Sequence, residues 1–147
     1  MADGPSIFAD SLAASANAEL IAAFFASVLC GPAGTGAEHF LADDFRDHDP
    51  SGDDTGPEGV AAKLATPWLA FPDGWFEPTE IVAAGDRVAV RSSLSGTQTG
   101  PFGSLPASGR AIDIAFFDLY RVADGRIAEH WHVFDEAGLM RQLGQGV

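Results

Sequence analysis

The chain has 147 residues, of which 46% are hydrophobic, and its 21 acidic and 8 basic side chains give a formal net charge of −13. That length fits one domain with its own core, which needs no disulfide or structural metal to fold. The charge excludes roles that depend on clustered Lys and Arg, so we expect no nucleic acid, phosphate group or membrane surface as a partner. The one cysteine, Cys30, excludes an internal disulfide and a cysteine-rich zinc site.

The beginning of the chain carries no targeting pattern. Residues 1–15 are rich in Ala, Ser and Asp and predict a flexible N-terminal arm, so that residues 16–147 form the domain. No basic segment opens the chain, and by its sequence pattern no apolar run is expected to reach the roughly 18 residues that a membrane span requires. We therefore expect a soluble protein of the cytoplasm.

The first half of the domain predicts helices. Apolar residues recur at helical spacing between Asn17, a suitable N-cap, and Gly31-Pro32, which ends the helix. A short second helix is predicted over residues 37–42. Pro57 suits the first turn of a third helix, which ends before Phe71-Pro72.

The second half predicts strands. Residues 80–84 and 87–95 flank Gly85-Asp86, which is a two-residue hairpin signal. Residues 111–122 and 126–134 form a second hairpin around a three-residue turn. Helices followed by an antiparallel run of strands predict an α+β fold, with the helices stacked on one face of a sheet.

The second hairpin carries the residues with chemical potential. A three-residue turn places Asp118 opposite His130, and Phe116 opposite His132, and alternation puts all four on one face together with Tyr120. That face is otherwise apolar, so the helices are predicted to cover it. A buried carboxylate needs a partner, and either histidine could supply one. Such a pair can perform acid–base chemistry or form a purely structural hydrogen bond, and the pattern leaves both interpretations open.

The opposite face of the same hairpin is also apolar. It carries Phe117, Leu119, Ile127, Trp131 and Val133. Because the helices cover only one face of the sheet, the other is predicted to be buried against a second copy. We expect a homodimer in which Phe117, Leu119 and Trp131 lie at the interface.

The segments around this hairpin resemble the SnoaL-like polyketide cyclase family. The C-terminal part of the resemblance is Gly125–His132, then Asp135, then Gly138–Gly144. Upstream features agree with the family in order and spacing: Asp47–Pro50 before Gly56–Val60, Phe71–Asp73 before Gly85–Val88, and Gly96-Thr97 leading to Pro106 and Gly109-Arg110. The resemblance covers nearly everything after residue 17. It implies the nuclear transport factor 2-like fold, a cone-shaped curved sheet closed by helices around one deep pocket and usually dimeric.

The resemblance also implies roles for particular residues. Characterised cyclases of the family close rings by an aldol reaction without a cofactor, using an aspartate of the last strand as general acid/base and a histidine as its partner. Those positions correspond here to His132 and Asp118, so the Asp and the His are exchanged. An asparagine of the first loop corresponds to about Asp49.

The leading hypothesis is a cofactor-independent cyclase or isomerase that acts on an apolar, carbonyl-bearing small molecule of the polyketide type. His132 would move the proton, Asp118 would orient the imidazole of His132, and His130 would assist. The candidate substrate-binding residues are His48, Asp49, Trp75, Phe116, Tyr120, Phe134 and Asp135. Asp135 could instead cap the terminal segment.

Other interpretations remain. An epoxide hydrolase or epoxide-opening cyclase of the same fold could use the same acid and histidines, and a non-catalytic binding protein could use the same pocket for a hydrophobic molecule. His48, His130 and His132 with Asp118 could also be taken as a metal cluster. Because they form no typical metalloenzyme motif, and because the resemblance implies cofactor-free chemistry, we expect neither a metal nor a cofactor.

Overall fold

The fold is a curved six-stranded sheet with three α-helices, as a computed structural model shows for residues 3–50 and 54–146. The predicted α+β class is confirmed. The helices are α1 (Leu12–Phe24), α2 (Pro57–Ala70) and α3 (Glu136–Gln142), and the strands are β1 (Ser6–Ala9), β2 (Leu41–His48), β3 (Trp75–Ala84), β4 (Arg87–Thr97), β5 (Ala111–Ala123) and β6 (Arg126–Phe134). A π-helical turn, Phe25–Leu29, continues α1, and a 3₁₀ turn spans Ala37–His39.

The sheet is mixed, with the order β1-β3-β4-β5-β6-β2. The two predicted hairpins form its antiparallel centre, whereas β1 pairs with β3, and β2 with β6, in parallel. The prediction of a second helix over residues 37–42 is wrong beyond its 3₁₀ turn. Alternating burial in β2 explains the strand, because Leu41, Phe45 and Asp47 face inward between exposed polar neighbours.

The N-terminal segment is more ordered than its composition predicts. In place of a loose arm, residues 6–9 form β1 and residues 12–15 begin α1; Met1 and Ala2 lie outside the described residues. The N-cap of α1 is Ser11, whose hydroxyl accepts a hydrogen bond of 3.1 Å from the Ala14 amide. Asn17, the predicted cap, lies inside the helix and donates to the Gly85 carbonyl.

The first helix shows that the expectation of no apolar run of about 18 residues is wrong. Leu12–Leu29 is an 18-residue helix that is apolar and long enough to cross a membrane by length and composition. One side of it nevertheless belongs to the protein core, since Ile21, Phe24, Phe25 and Val28 are buried against the inner face of the sheet. A core helix passes the same length and composition test as a membrane span.

Two groups of buried side chains make up the core of the described residues. The larger joins α1 to the inner faces of β2–β6, and the smaller joins the end of α2 to β4, β5 and α3. Members of both groups, such as Phe25 and Leu139, line one cavity between them. The helices and the inner sheet face therefore enclose the candidate site.

The turn between β5 and β6 changes the pairing that the sequence predicts. It has two residues, Asp124 and Gly125, both in the left-handed region, with φ of 51° and 73°. That geometry is typical of a type I′ hairpin. A register shift after Arg121 then leaves Ala128 unpaired, so that Asp118 lies opposite His132 and Tyr120 opposite His130.

The predicted inner face of the hairpin is right, but the predicted pairing of β5 with β6 differs by two residues from the observed pairing. The bulge also turns Ile127 inward, where it is buried and lines the cavity. The prediction that Ile127 lies on the outer face is therefore wrong.

Candidate active site

The cavity has a volume of about 350 Å³ and is lined by side chains from α1, β2, α2, α3 and β3–β6. Most of its lining is apolar and aromatic. Its acidic and basic members are Asp47, Asp49, Lys63, Asp118, His130 and His132, and it also contains the phenol of Tyr120. Pockets of about 300–1,000 Å³ with few polar groups are typical of small-molecule sites.

His130 lies at the centre of the polar cluster. Its Nε2 is 2.7 Å from Asp118 Oδ1 and its Nδ1 is 3.0 Å from Asp47 Oδ1. Both carboxylates have only 9% of their side-chain surface exposed. An imidazole that faces a carboxylate at each ring nitrogen donates both N–H groups and carries a positive charge.

The pKa of His130 reflects this geometry. Burial opposes its charge, but hydrogen bonds to Asp118 and Asp47, together with their negative charges, raise its pKa to about 9. His130 is therefore an imidazolium at neutral pH. Asp47 responds in the opposite direction, because burial raises its pKa but the contacts with His130 and Lys63 outweigh burial and lower it.

Lys63 extends the cluster from α2. Its Nζ lies 3.0 Å from Asp47 Oδ2 and 2.8 Å from Asp49 Oδ2. Positive and negative charges thus alternate from Asp118 through His130 and Asp47 to Lys63. Desolvation alone would make such charges costly, and their mutual contacts offset that cost.

Sequence reasoning missed the roles of Asp47 and Lys63. Asp47 reaches His130 because β2 pairs in parallel with β6, which aligns the two residues. Lys63 carried a readable signal, since it is the only basic residue of the mostly apolar helix α2. A lone Lys on a helix that faces a cavity indicates a buried acidic partner.

His132 differs from His130 in its surroundings. Its Nδ1 is buried and has no hydrogen-bond partner in residues 3–50 and 54–146. Its ring stacks against His130 at 5.4 Å and lies near the rings of Phe116 and Phe134. Burial and the charge of His130 lower the pKa of His132 from its ordinary value of 6.5, which makes it neutral at pH 7.

Seven of the ten predicted site residues line the cavity: Asp49, Phe116, Asp118, Tyr120, His130, His132 and Phe134. Asp118 is hydrogen-bonded to His130, not to His132 as the hypothesis of an Asp118–His132 pair required. Their roles in a reaction stay predictions.

Three predicted site residues lie outside the cavity lining. His48 stacks on Trp131 at 4.7 Å, on the outer face, and contacts Glu129 and Asp54. Trp75 is 52% exposed, and strand alternation points its neighbour Phe76 into the cavity instead. Asp135 is the N-cap of α3, where it accepts a hydrogen bond of 2.8 Å from the Gly138 amide.

The cluster also contains a possible metal-ligand set of a different composition from the predicted one. Ligand atoms of Asp47, His130 and His132 lie within 4.8 Å of one another. Both nitrogens of His130 are engaged by carboxylates, so a metal ion would have to displace one hydrogen bond and one proton. The residues fit a hydrogen-bonded acid–base network better than a set of free ligand atoms.

Comparison with known proteins agrees with this architecture. The family model for the SnoaL-like polyketide cyclases matches residues 19–143. Aklanonic acid methyl ester cyclase DnrD of Streptomyces peucetius is 33% identical over 93 residues, 61% of this chain and 63% of the relative. DauD of Streptomyces sp. strain C5, with the same description, is 32% identical over 61% of this chain and 56% of its own. The chain thus spans about three fifths of the length of these curated relatives.

Solved structures show the same fold over most of the chain. A protein of Jannaschia sp. CCS1, described as a SnoaL-like polyketide cyclase, has a TM-score of 0.82 at 25% identity and covers 93% of this chain and 97% of its own. IdmH of Streptomyces antibioticus, described as a polyketide cyclase, has a TM-score of 0.77 at 28% identity, over 87% and 98%. The predicted nuclear transport factor 2-like architecture is thereby confirmed. With its helices, sheet and cavity arranged in this way and its sequence matched from residue 19 to residue 143, the chain belongs to the SnoaL-like polyketide cyclase family.

Proposed function

We propose that this chain is a cofactor-independent cyclase or isomerase that uses histidine acid–base chemistry on an apolar, carbonyl-bearing small molecule. One observation carries the proposal: two stacked histidines in an apolar cavity differ in charge, with His130 held as a cation and His132 neutral. Neighbouring titratable groups whose environments push their pKa values apart are typical of acid–base sites.

His132 is the proton acceptor in this proposal. Its ring lines the cavity, and a ring nitrogen takes a proton from the carbon next to a substrate carbonyl, so that the electrons of that C–H bond form an enolate. In ring closure, the enolate carbon attacks a second carbonyl of the same molecule, and the protonated His132 returns its proton to the new alkoxide. In isomerisation, it returns the proton to a different carbon.

His130 stabilises the negative charge that develops on the substrate. Its two N–H groups are committed to Asp118 and Asp47, so it acts through its fixed positive charge in an apolar surrounding. Asp118 therefore orients His130, which changes the role that the sequence suggested for it. The aromatic walls hold a flexible substrate in a reactive conformation and exclude water.

The relatives suggest the substrate class. DnrD and DauD are described as cyclases of aklanonic acid methyl ester, a polyketide-type ester, and we propose a related keto ester as the substrate here. Aklanonic acid methyl ester is accordingly the first compound to test.

The test follows isomerisation and proton transfer separately. The purified protein, without added cofactor, is incubated with aklanonic acid methyl ester, and in a second assay with 2-tetralone in deuterium oxide. We expect a product of unchanged mass in the first assay and deuterium next to the carbonyl in the second. If neither reaction exceeds the protein-free rate and the bound ligand is recovered unchanged, the result would instead support a binding protein. Incorporation of labelled water into an epoxide substrate would support the epoxide hydrolase alternative.

We also propose that the chain forms a homodimer through the outer face of the sheet. Phe117 and Val133 are cross-strand neighbours on that face and are 54% and 62% exposed, and Leu119 beside them is 38% exposed. Trp131 is partly covered there by His48 and by Arg87, whose guanidinium is 5.5 Å from its ring. A contiguous apolar face of this kind is typical of a symmetric interface.

Charge placed in this face should separate the copies. Val133→Glu would bury two carboxylates close to a two-fold axis, which is costly, so we expect a monomer. Sedimentation equilibrium measures the mass, with Thr99→Glu, in an exposed loop, as the matched control that stays dimeric. A wild-type monomer, or a Val133→Glu dimer of unchanged affinity, would contradict the proposed interface.

A further inference from the structure

Tyr120 combines two features that the proposed reaction leaves unused. Its side chain lines the cavity yet is only 1% exposed. Its hydroxyl makes no hydrogen bond to any of the residues that the structure describes. A phenylalanine at this position would fill the same space without burying an unsatisfied polar group, so simple packing does not explain the hydroxyl.

None of the groups that surround the ring among residues 3–50 and 54–146 makes a hydrogen bond to the hydroxyl. The rings of Phe24 and Phe25 make T-shaped contacts with the ring of Tyr120 at 6.2 and 6.3 Å, and His130 stacks on it at 4.6 Å. The nearby carboxylates of Asp118 and Asp47 are engaged with His130, and that of Asp47 also with Lys63. Because Tyr120 lines the cavity, an acceptor oxygen of a bound ligand would satisfy the hydroxyl.

The chemistry of the phenol defines what that ligand group is. Burial and the negative charges of Asp118 and Asp47 raise the pKa of Tyr120 well above its ordinary value, so the group stays protonated. A protonated phenol among aromatic rings is best used as a hydrogen-bond donor. Its partner is then an oxygen acceptor without charge or with partial negative charge, such as a carbonyl or an enolate.

We infer that Tyr120 is a specificity-determining residue whose hydroxyl donates a hydrogen bond to a carbonyl or enolate oxygen of the substrate. The ring of Tyr120 lies beside Phe24 and Phe25, and that of His132 beside Phe116 and Phe134. The imidazole of His130 lies between them and stacks with Tyr120 and with His132. The substrate class is consequently an apolar molecule with an oxygen acceptor set apart from its reacting carbon, such as a diketone or keto ester. The inference rests on the proposed function for the position of proton transfer, but not for the hydrogen bond itself.

The test uses a probe that can accept but not donate a hydrogen bond. The probe is 2-tetralone labelled with carbon-13 at the carbonyl, and tetralin is its matched hydrocarbon. We expect the wild-type protein to bind 2-tetralone more tightly than tetralin and to shift its carbonyl resonance downfield. Tyr120→Phe should remove that shift and weaken 2-tetralone binding about tenfold, while tetralin affinity stays within about twofold. Tetralin binding also reports that the variant is folded.

The outcomes separate this inference from the proposed function. An unchanged carbonyl shift and 2-tetralone affinity in Tyr120→Phe, or no preference of the wild type for 2-tetralone over tetralin, would overturn the assignment to Tyr120. The deuterium exchange described above reports proton transfer and does not depend on that result. A carbonyl shift that is lost in His132→Phe but kept in Tyr120→Phe would assign the donor to His132 and likewise overturn the inference.

Discussion

His132→Phe is expected to lower the rate of deuterium incorporation into 2-tetralone about 10²–10⁴-fold, the range that positioned acid–base groups contribute. The phenyl ring keeps the volume and the stacking against His130 but has no nitrogen to accept the proton. Tetralin affinity should stay unchanged. His39→Phe is the matched control, because His39 is exposed and lies outside the cavity lining.

The pH dependence of the same reaction follows from the two pKa shifts. His132 must be neutral, and its pKa lies below 6.5, so the rate should reach its plateau by about neutral pH. His130 must be charged, and its pKa is about 9, so the rate should fall as the pH rises through that region.

A His132→Phe variant that keeps the wild-type rate would remove His132 from the mechanism.

Asp118→Asn is expected to remove a large part of the stability that depends on the charge of His130. The pKa of His130 is raised from 6.5 to about 9 in the folded protein, so this contribution is fully present below pH 6.5 and is lost as the pH rises through about 9. The shift corresponds to about 3 kcal/mol in the free energy of unfolding. The amide keeps the shape of the side chain but withdraws one of the two negative charges at His130.

Urea unfolding at a series of pH values measures this effect. The wild type should lose stability between about pH 6.5 and pH 9, whereas Asp118→Asn should start lower and depend less on pH across that window. The difference between the two proteins should therefore be largest on the acid side. Asp43→Asn, which alters an exposed carboxylate, should follow the wild type. Parallel curves for the wild type and Asp118→Asn would show that Asp118 does not sustain the charge of His130.

The β5–β6 hairpin shows how far a local pattern can carry a prediction. Alternation along a strand has a period of two residues, so it assigns His130 and His132 to one face, and Asp118 shares that face for any pairing displaced by an even number of residues. The pairing itself depends on the turn type and on the bulge after Arg121, and an error of two residues there exchanges which histidine lies opposite Asp118. The hydrogen bond finally made, from His130 to Asp118, is diagonal and depends on side-chain geometry as well.

The second carboxylate at His130 could not be predicted from local pattern. Asp47 comes from a strand that pairs in parallel with β6 across more than eighty residues, and that strand's sequence is interrupted by charges. The misplaced residues have local causes. His48 and Trp75 lie beside inward-facing Asp47 and Phe76, and strand alternation sends them to the opposite face, while Asp135 caps a helix that begins directly after it.

Nitrogen-15 NMR of the histidine side chains tests the central claim most directly, because it reports the protonation of each imidazole without a substrate. The chain has four histidines, so the resonances of His132 are assigned by their loss in His132→Phe, and those of His130 by their loss in His130→Phe. We predict that at pH 7 both nitrogens of His130 are protonated and remain so until the pH approaches about 9, while His132 is neutral with one nitrogen unprotonated. His130 and His132 titrating together near 6.5, or a protonated His132 at pH 7, would contradict the account.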